Sequence, residues 1–519
     1  MKIRDLRRCR ALGLIGATAL ALGGLTSGAL PISAPFYLSP SARHSYGLPA
    51  AGMVCAVAGL TVLVGAWLRL RHLVAGEPRA ALSVLVWWSA PLVLAPPMFS
   101  RDVYSYLAQG ALVGQGMDAY AVGPAALGAD PLAAQVHPLW MNTPAPYGPV
   151  FLGLAAIVVA VTGTHLVAGV LGMRLVALAS VAALAWVVPR LAVRYRVDPG
   201  RALWLAALNP LVLVHMVAGT HNDALMAALL VAGLLLAASG RLGWAVVLVT
   251  LAALVKVPAA LALAYLAPLV AARIGGRWRW PAGIAATGAL AAGTVALVTM
   301  ATGLGLGWVA ALKTPAIVHN GLSVSTDLGH LLAWLGRGLG LPVTTAGTVT
   351  ATRLAGALLA ALVCLVTWRH RNRLGLPAAV GLAVGVVVLL GPVVHPWYLA
   401  WALVPLAAGT RDRRLIRVAT VLSAGLSLVI LPHGVAFTPR GVAEALAGAA
   451  IGLAVLAVTQ VLQREPVPVN AQPADDPRGD GGDHRMVPEL LAGVDVGDVH
   501  LDERAAQQGA GVPERVRVV

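Results

Sequence analysis

The feature that most limits what this chain can fold into is a succession of apolar runs. Each is about 18–22 residues long, the length a helix needs to cross the hydrocarbon core of a bilayer. They recur through 519 residues of which 59% are hydrophobic and 11% charged, with a mean hydropathy of +0.81. Only helices or closed barrels satisfy their backbone in lipid, and runs of this length specify helices. The chain therefore reads as an all-α polytopic membrane protein with about 14 spans. The expected spans cover residues 12–30, 49–69, 80–97, 169–189, 202–217, 222–239, 242–256, 258–273, 281–301, 349–368, 376–393, 397–410, 414–432 and 441–461. The first, behind MKIRDLRRCR, reads as a retained signal anchor, because a second span follows and TSGALPISAP is a poor cleavage site.

Charge sets the topology. The formal net charge is +16, and 34 of the 37 basic residues are Arg. Basic clusters at 2–10, 69–79, 190–201, 241, 273–279, 369–373 and 411–417 border the apolar runs. That placement is the positive-inside signal of a membrane protein, and no nucleic-acid partner is implied. With these clusters in the cytoplasm, a crossing at 148–162 would invert every later loop, so this segment is expected to be an extracytoplasmic juxtamembrane or re-entrant helix. Residues 323–340 carry Asp, His and Arg and read as an interfacial helix. Both termini then face the cytoplasm of a multi-pass plasma-membrane protein.

Three regions follow: an N-terminal helix pair (1–79), the main transmembrane region (80–462) with a long extracytoplasmic loop at 98–168, and a tail (463–519). The tail is rich in Asp, Gly, Pro and Gln and is expected to be disordered and cytoplasmic. Cys9, Cys55 and Cys364 offer neither a disulfide framework nor metal-ligand spacing.

Carboxylates are costly near lipid, which makes their scarcity useful. Only nine lie between residues 11 and 462. Glu77, Asp198 and Asp412 fall in expected cytoplasmic loops. Asp102, Asp118, Asp130, Asp223, Asp327 and Glu444 fall on the outer side. Of these, Asp102 in FSRDVYSY and Asp223 in LNPLVLVHMVAGTHNDALM lie at helix ends within reach of a lipid-linked substrate. The second motif gathers His215, His221, Asn222 and Asp223 within nine residues. Helix capping is the plain reading of Asn and Asp there. A cluster binding sugar hydroxyls or phosphate is the functional one, and a metal site from His215, His221 and Asp223 has no standard spacing behind it.

Three lysines occur in the whole chain, and both internal ones, Lys256 and Lys313, map to the outer side. An ammonium there suits a lipid phosphate, although snorkelling to the interface explains Lys256 as simply. Arg101 is suited to the same phosphate, or to keeping Asp102 ionised. TPAPYGPV carries three prolines and Tyr147, a rigid wall for a binding site. HPWYLAW sets His395, Trp397 and Tyr398 at a helix end, as an interfacial aromatic belt or as stacking partners for a sugar or isoprenoid.

FSRDVYSYLAQGALV, GMDAYAVGP, TPAPYGPV, LNPLVLVHMVAGTHNDALM, LVKVPAAL and HPWYLAW, in this order, resemble the actinobacterial polyprenol-phosphomannose-dependent α-1,6-mannosyltransferases. These enzymes belong to the GT-C class of membrane glycosyltransferases. The resemblance implies a GT-C-type multi-helix fold and polyprenyl-phosphomannose as donor. It implies mannosylated phosphatidylinositol or lipomannan-type acceptors, and extension of the α-1,6-mannan backbone of lipomannan and lipoarabinomannan precursors. It also carries the general base over to Asp102. Many relatives have two acidic residues at this place, where this chain has Arg101–Asp102. A single carboxylate points to chemistry with no resident metal or other cofactor, with a bound divalent cation as the alternative.

The expected reaction is an inverting single displacement. Arg101, Lys256 and Lys313 serve the donor phosphate. Tyr104, Tyr147, His221, Asn222, Asp223, His395, Trp397 and Tyr398 serve the sugar or acceptor. Two other readings share the many spans. One is a transferase of another polyprenyl-phosphate sugar (arabinose, glucose or a branching mannose), and the other is a lipid flippase or transporter. A transporter places its ionisable groups at mid-membrane, whereas these gather on one face.

Overall fold

The computed structural model describes residues 2–32, 48–316, 321–434 and 438–462. Among these, every regular element is helical and there is no strand. Residues 1–463 form one compact unit. The tail expected to be disordered, 463–519, lies outside the described residues.

Among the described residues seven helices are long and apolar enough to cross a membrane, or eight if one sharply bent pair counts as a single span. The expectation of about 14 spans is therefore met only in part. The difference lies mostly in apolar helices of 11–17 residues, among them Pro78–Leu94, Leu242–Ala253, Leu376–Leu389 and Leu399–Gly409. The segment expected to span at 202–217 divides at 206–209 into a seven-residue helix, Pro199–Leu205, and a π-helix, Val212–Ala218. The separate spans expected at 242–256 and 258–273 correspond to Leu242–Ala253, which is short, and to Leu261–Ile274 with the 3-10 turn Val257–Ala260 before it. Pro396 leaves only Leu399–Gly409 of the span expected at 397–410. Residues 148–162 form a 14-residue helix, Pro149–Thr162, and the segment expected to be interfacial forms Val324–Gly338. We call the helices that matter below α1 (Lys2–Ser27), α2 (Leu48–Leu70), α3 (Pro78–Leu94), α4 (Asp102–Gly114), α5 (Pro149–Thr162), α6 (Leu166–Arg194), α7 (Pro199–Leu205), α8 (Asp223–Ala238), α9 (Leu242–Ala253) and α10 (Leu261–Ile274).

The N-terminal pair is packed into the rest. A side chain on Gly59 of α2 would collide with the Gly16 carbonyl of α1, so small residues set this close approach. α2 is pinned at its far end by Trp67, which stacks on Trp204 of α7 at 4.6 Å. The two indole N–H groups donate to each other's main-chain carbonyls at 3.0 and 2.9 Å, so this fully buried aromatic pair leaves no orphaned donor.

The basic clusters at 69–79, 190–201 and 241 meet at one end of the bundle. The Gly76 N–H donates to Asp198 at 2.7 Å, joining the loops at 69–79 and 190–201. Arg69 donates to the Leu456 carbonyl at 2.8 Å, which brings the last described helix to the same end. Arg190, Arg194 and Arg241 line one groove there with Pro78. The acidic and aromatic motifs lie at the other end.

Candidate functional site

Two strained backbone positions shape the site. Phe99 and Thr220 have φ of 66° and 61°, a region non-glycine residues rarely adopt. Each immediately precedes a polar motif, Ser100–Asp102 and His221–Asp223. The turn at Phe99 is held from outside: its N–H donates to the Pro432 carbonyl at 2.7 Å. The turn at Thr220 follows the π-helix, which meets α8 at 114°. π-helical turns recur at functional sites because they release a side chain from regular spacing.

Arg174 on α6 holds the two turns together. It is buried and meets no carboxylate. Its guanidinium donates instead to the carbonyls of Val93 (2.7 Å), Ala95 and Ala218 (3.1 Å) and to the Thr220 hydroxyl (3.3 Å). Burying an arginine is tolerable only when nearly all its donors are used, and here four of the five are.

The ionisable cluster is assembled from three stretches. Lys256 Nζ lies 2.7 Å from Asp223 Oδ1, and the Trp401 indole N–H donates to the same oxygen at 2.6 Å. His221 Nδ1 sits among the Tyr106 hydroxyl (3.4 Å), Asp102 Oδ2 (3.6 Å) and Asp223 Oδ2 (3.8 Å). The two carboxylates differ in access: Asp102 is 22% exposed, Asp223 is 0% exposed and Lys256 is 11% exposed. Burial pushes the Asp102 carboxyl above the usual carboxylate range, opposed by the Lys256 charge and the contact with Ser100. Burial together with the Lys256 charge lowers His395 to about 4, so its imidazole is neutral near pH 7.

An aromatic wall surrounds these groups. Lys256 Nζ is 5.6, 5.2 and 5.3 Å from the rings of Tyr147, Tyr398 and Trp401, each within cation–π range. Trp397 stacks on His395 at 4.4 Å and tilts over His221 at 4.2 Å. The TPAPYGPV loop reaches this wall because Gly148 has no side chain: a Cβ there would collide with the Leu254 carbonyl, just before Lys256.

Seven of the twelve expected site residues meet here: Asp102, His221, Asp223, Lys256, Tyr147, Trp397 and Tyr398, with His395 stacked beside them. Asn222 lies between His221 and Asp223, buried, with neither amide atom hydrogen-bonded. It precedes α8 without capping it through its side chain, so capping does not account for it. Arg101 turns away and donates to the carbonyls of Leu30 (2.6 Å) and Gln135 (3.1 Å). Tyr104 is buried with its hydroxyl on the Ala29 carbonyl at 2.7 Å. Both tie the site to the end of α1. Lys313 is exposed in the 3-10 segment Gly307–Ala316. Among the described residues no group of three or more His, Cys, Asp or Glu is arranged to hold a metal ion.

The arrangement offers an accessible carboxylate beside an ammonium already oriented by a sealed partner, within walls of flat rings. The comparisons with known proteins fit it. The family model described as "Alpha-(1->6)-mannopyranosyltransferase, N-terminal domain" matches residues 10–272, and "MptB C-terminal domain" matches residues 325–458. The chain belongs to this mannopyranosyltransferase family. It is 33% identical over 493 residues to alpha-(1->6)-mannopyranosyltransferase B of Corynebacterium glutamicum, covering 88% of this chain and 82% of that one. It is 36% identical over 438 residues to alpha-(1->6)-mannopyranosyltransferase A of Mycobacterium tuberculosis, covering 82% and 84%. No solved structure matches the chain.

The site draws on both matched regions of the family, with Asp102, Asp223 and Lys256 in the first and His395 to Trp401 in the second. Three contributors escaped the sequence reading. Arg174 was visible as a charge inside an apolar span, a signal that should have flagged it. Trp401 follows Trp397 by one helical turn, which puts both on one face. Tyr106 carried no signal separable from its apolar neighbours.

Proposed function

We propose that this membrane mannosyltransferase moves mannose from polyprenyl-phosphomannose onto the α-1,6-mannan backbone of lipomannan-type acceptors, with Asp102 as general base. The observation that carries the reading is the pairing of an accessible carboxylate with a pre-oriented ammonium. Asp223 is spent on Lys256 and Trp401 and sealed from solvent, which leaves Asp102 as the carboxylate an acceptor can touch.

In this mechanism Asp102 takes the proton of the acceptor 6-hydroxyl as its oxygen bonds to the anomeric carbon. The bond from that carbon to the phosphate oxygen breaks on the opposite face, and polyprenyl phosphate leaves with the electron pair. A β-linked donor gives an α-linked product. Lys256 meets the charge developing on the phosphate, and Asp223 is a positioning residue that aims it. Neutral His395 and the rings of Trp397 and Tyr398 receive the sugar, and the lipid tail lies between helices. The convergence of basic clusters on the opposite end supports an extracytoplasmic site with both termini cytoplasmic. We read the many short helices as completing a GT-C-type fold.

The test is mannosyl transfer from polyprenyl-phosphomannose to a short α-1,6-mannoside in membranes, comparing wild type with Asp102→Asn at matched folded protein. Loss of about 10²–10⁴-fold is expected. Turnover equal to wild type in a folded variant would remove Asp102 from the chemistry.

A further inference from the structure

At the end of the bundle opposite Asp223 and Lys256 lies a second feature that transfer chemistry leaves unused. A groove of about 720 Å³ opens between α3, α6, the start of α7 and the α8–α9 turn. That volume is in the range of a site for a small amphiphile. Arg190 and Arg194, one turn apart on α6, face it with Arg241, and among the described residues no Asp or Glu lines it. The nearby Asp198 carboxylate is occupied by the N–H groups of Gly76 and Arg201. Among the described residues the side chains of Arg194 and Arg241 meet no hydrogen-bond or ionic partner, and Arg190 spends one donor on the Trp186 carbonyl of its own helix.

The rest of the lining is apolar, with Val193, Leu235 and Leu236 beside the guanidinium groups. Trp186, one turn before Arg190 on α6, and Trp244, in the first turn of α9, are both exposed, and Arg190 lies 4.2 Å over the Trp186 ring. Exposed indoles beside arginines mark the headgroup level of a bilayer. The first N–H groups of α9 point from Arg241 with no side-chain cap, and such a helix start favours an anion.

We infer that this groove is a binding site for one anionic phospholipid. The phosphate sits among Arg190, Arg194 and Arg241, and an acyl chain lies on Val193, Leu235 and Leu236. It is separate from the donor site, because the 16 residues of α8 place the groove about 24 Å from Asp223. The two are nonetheless joined by one hairpin. α8 begins at Asp223, its turn at Ser239–Arg241 lines the groove, and α9 returns the chain to Lys256. A lipid on the turn clamps the hairpin whose open ends hold that ion pair.

The experiment uses delipidated full-length protein with phosphatidylglycerol, phosphatidylcholine or inorganic phosphate, read by native mass spectrometry and by thermal unfolding. Wild type is expected to retain one phosphatidylglycerol and to unfold at higher temperature with it, while phosphatidylcholine and inorganic phosphate give no such shift. The triple variant R190Q/R194Q/R241Q is expected to bind phosphatidylglycerol about a hundredfold more weakly. Ser239→Trp, which fills the groove and keeps all three charges, is expected to lose the lipid as well, and it decides the matter if the triple variant does not fold. Arg277→Gln, an exposed arginine beyond α10, is expected to bind as wild type. Equal retention by wild type and the groove variants would overturn the inference. So would equal stabilisation by phosphatidylcholine, or a full shift from inorganic phosphate alone.

Discussion

The two ends of the bundle use charge in opposite ways. At one end a few ionisable groups are buried and the charged ones are tied to named partners: Asp223 to Lys256 and Trp401, Arg174 to four main-chain and hydroxyl oxygens. At the other end many arginines are exposed, and several meet no partner among the described residues. Burial makes a charge expensive and therefore specific, since the site must answer it with fixed geometry. Exposure makes it cheap and additive, useful for orienting the chain in a membrane field but indifferent to any one residue.

The largest way to test this contrast is within the buried end, where the two carboxylates should fail differently. Asp102→Asn is expected to abolish nearly all turnover, by about 10²–10⁴-fold. Its folded stability should hold or rise slightly, because burial already opposes the ionised form. A thermal melt beside the transfer assay reads both. Asp223→Asn and Lys256→Met, by contrast, each strand a buried partner and should cost about 3–5 kcal/mol. The double variant should regain most of that loss while staying inactive, and a denaturation cycle over the four proteins would expose a failure of that compensation.

A smaller effect sharpens the role of Asp102. A base must be ionised, so activity should rise with pH through its pKa. The acid limb of kcat/KM should lie above the ordinary carboxylate value of about 4, because burial raises Asp102. The Lys256 charge opposes that rise, so any residual activity of Lys256→Met should show the limb moved higher still. A limb at the ordinary value in the wild type would mean that solvent reaches the carboxylate freely. The smallest effect belongs to the exposed end: Arg411→Gln should change stability by less than about 0.5 kcal/mol and leave transfer unaltered, as a melt and the same assay would show.

Much of this was legible before any coordinates. Apolar run length specified helices, the basic clusters named one end, and the rarity of carboxylates singled out Asp102 and Asp223. What misled was treating each apolar run as a span. Several runs form helices of only 11 or 12 residues, such as Leu242–Ala253 and Leu399–Gly409, and the run at 202–217 breaks at 206–209 before a π-helix. Arg101 shows the same limit on a smaller scale. Adjacency to Asp102 suggested a shared task, yet one residue of rotation at a helix start sends its guanidinium to Leu30 and Gln135.

By itself, then, the sequence determined the solvent in which the chain folds, the helical class, and the short list of groups able to carry chemistry. Those follow from hydropathy and from the cost of charge, which are properties of residues. Only the tertiary structure decided which of two carboxylates stays open, which lysine is aimed, and that Arg174 braces both turns. Those depend on contacts between residues far apart in the chain, and a buried charge takes its role from whatever the fold brings within about 4 Å of it.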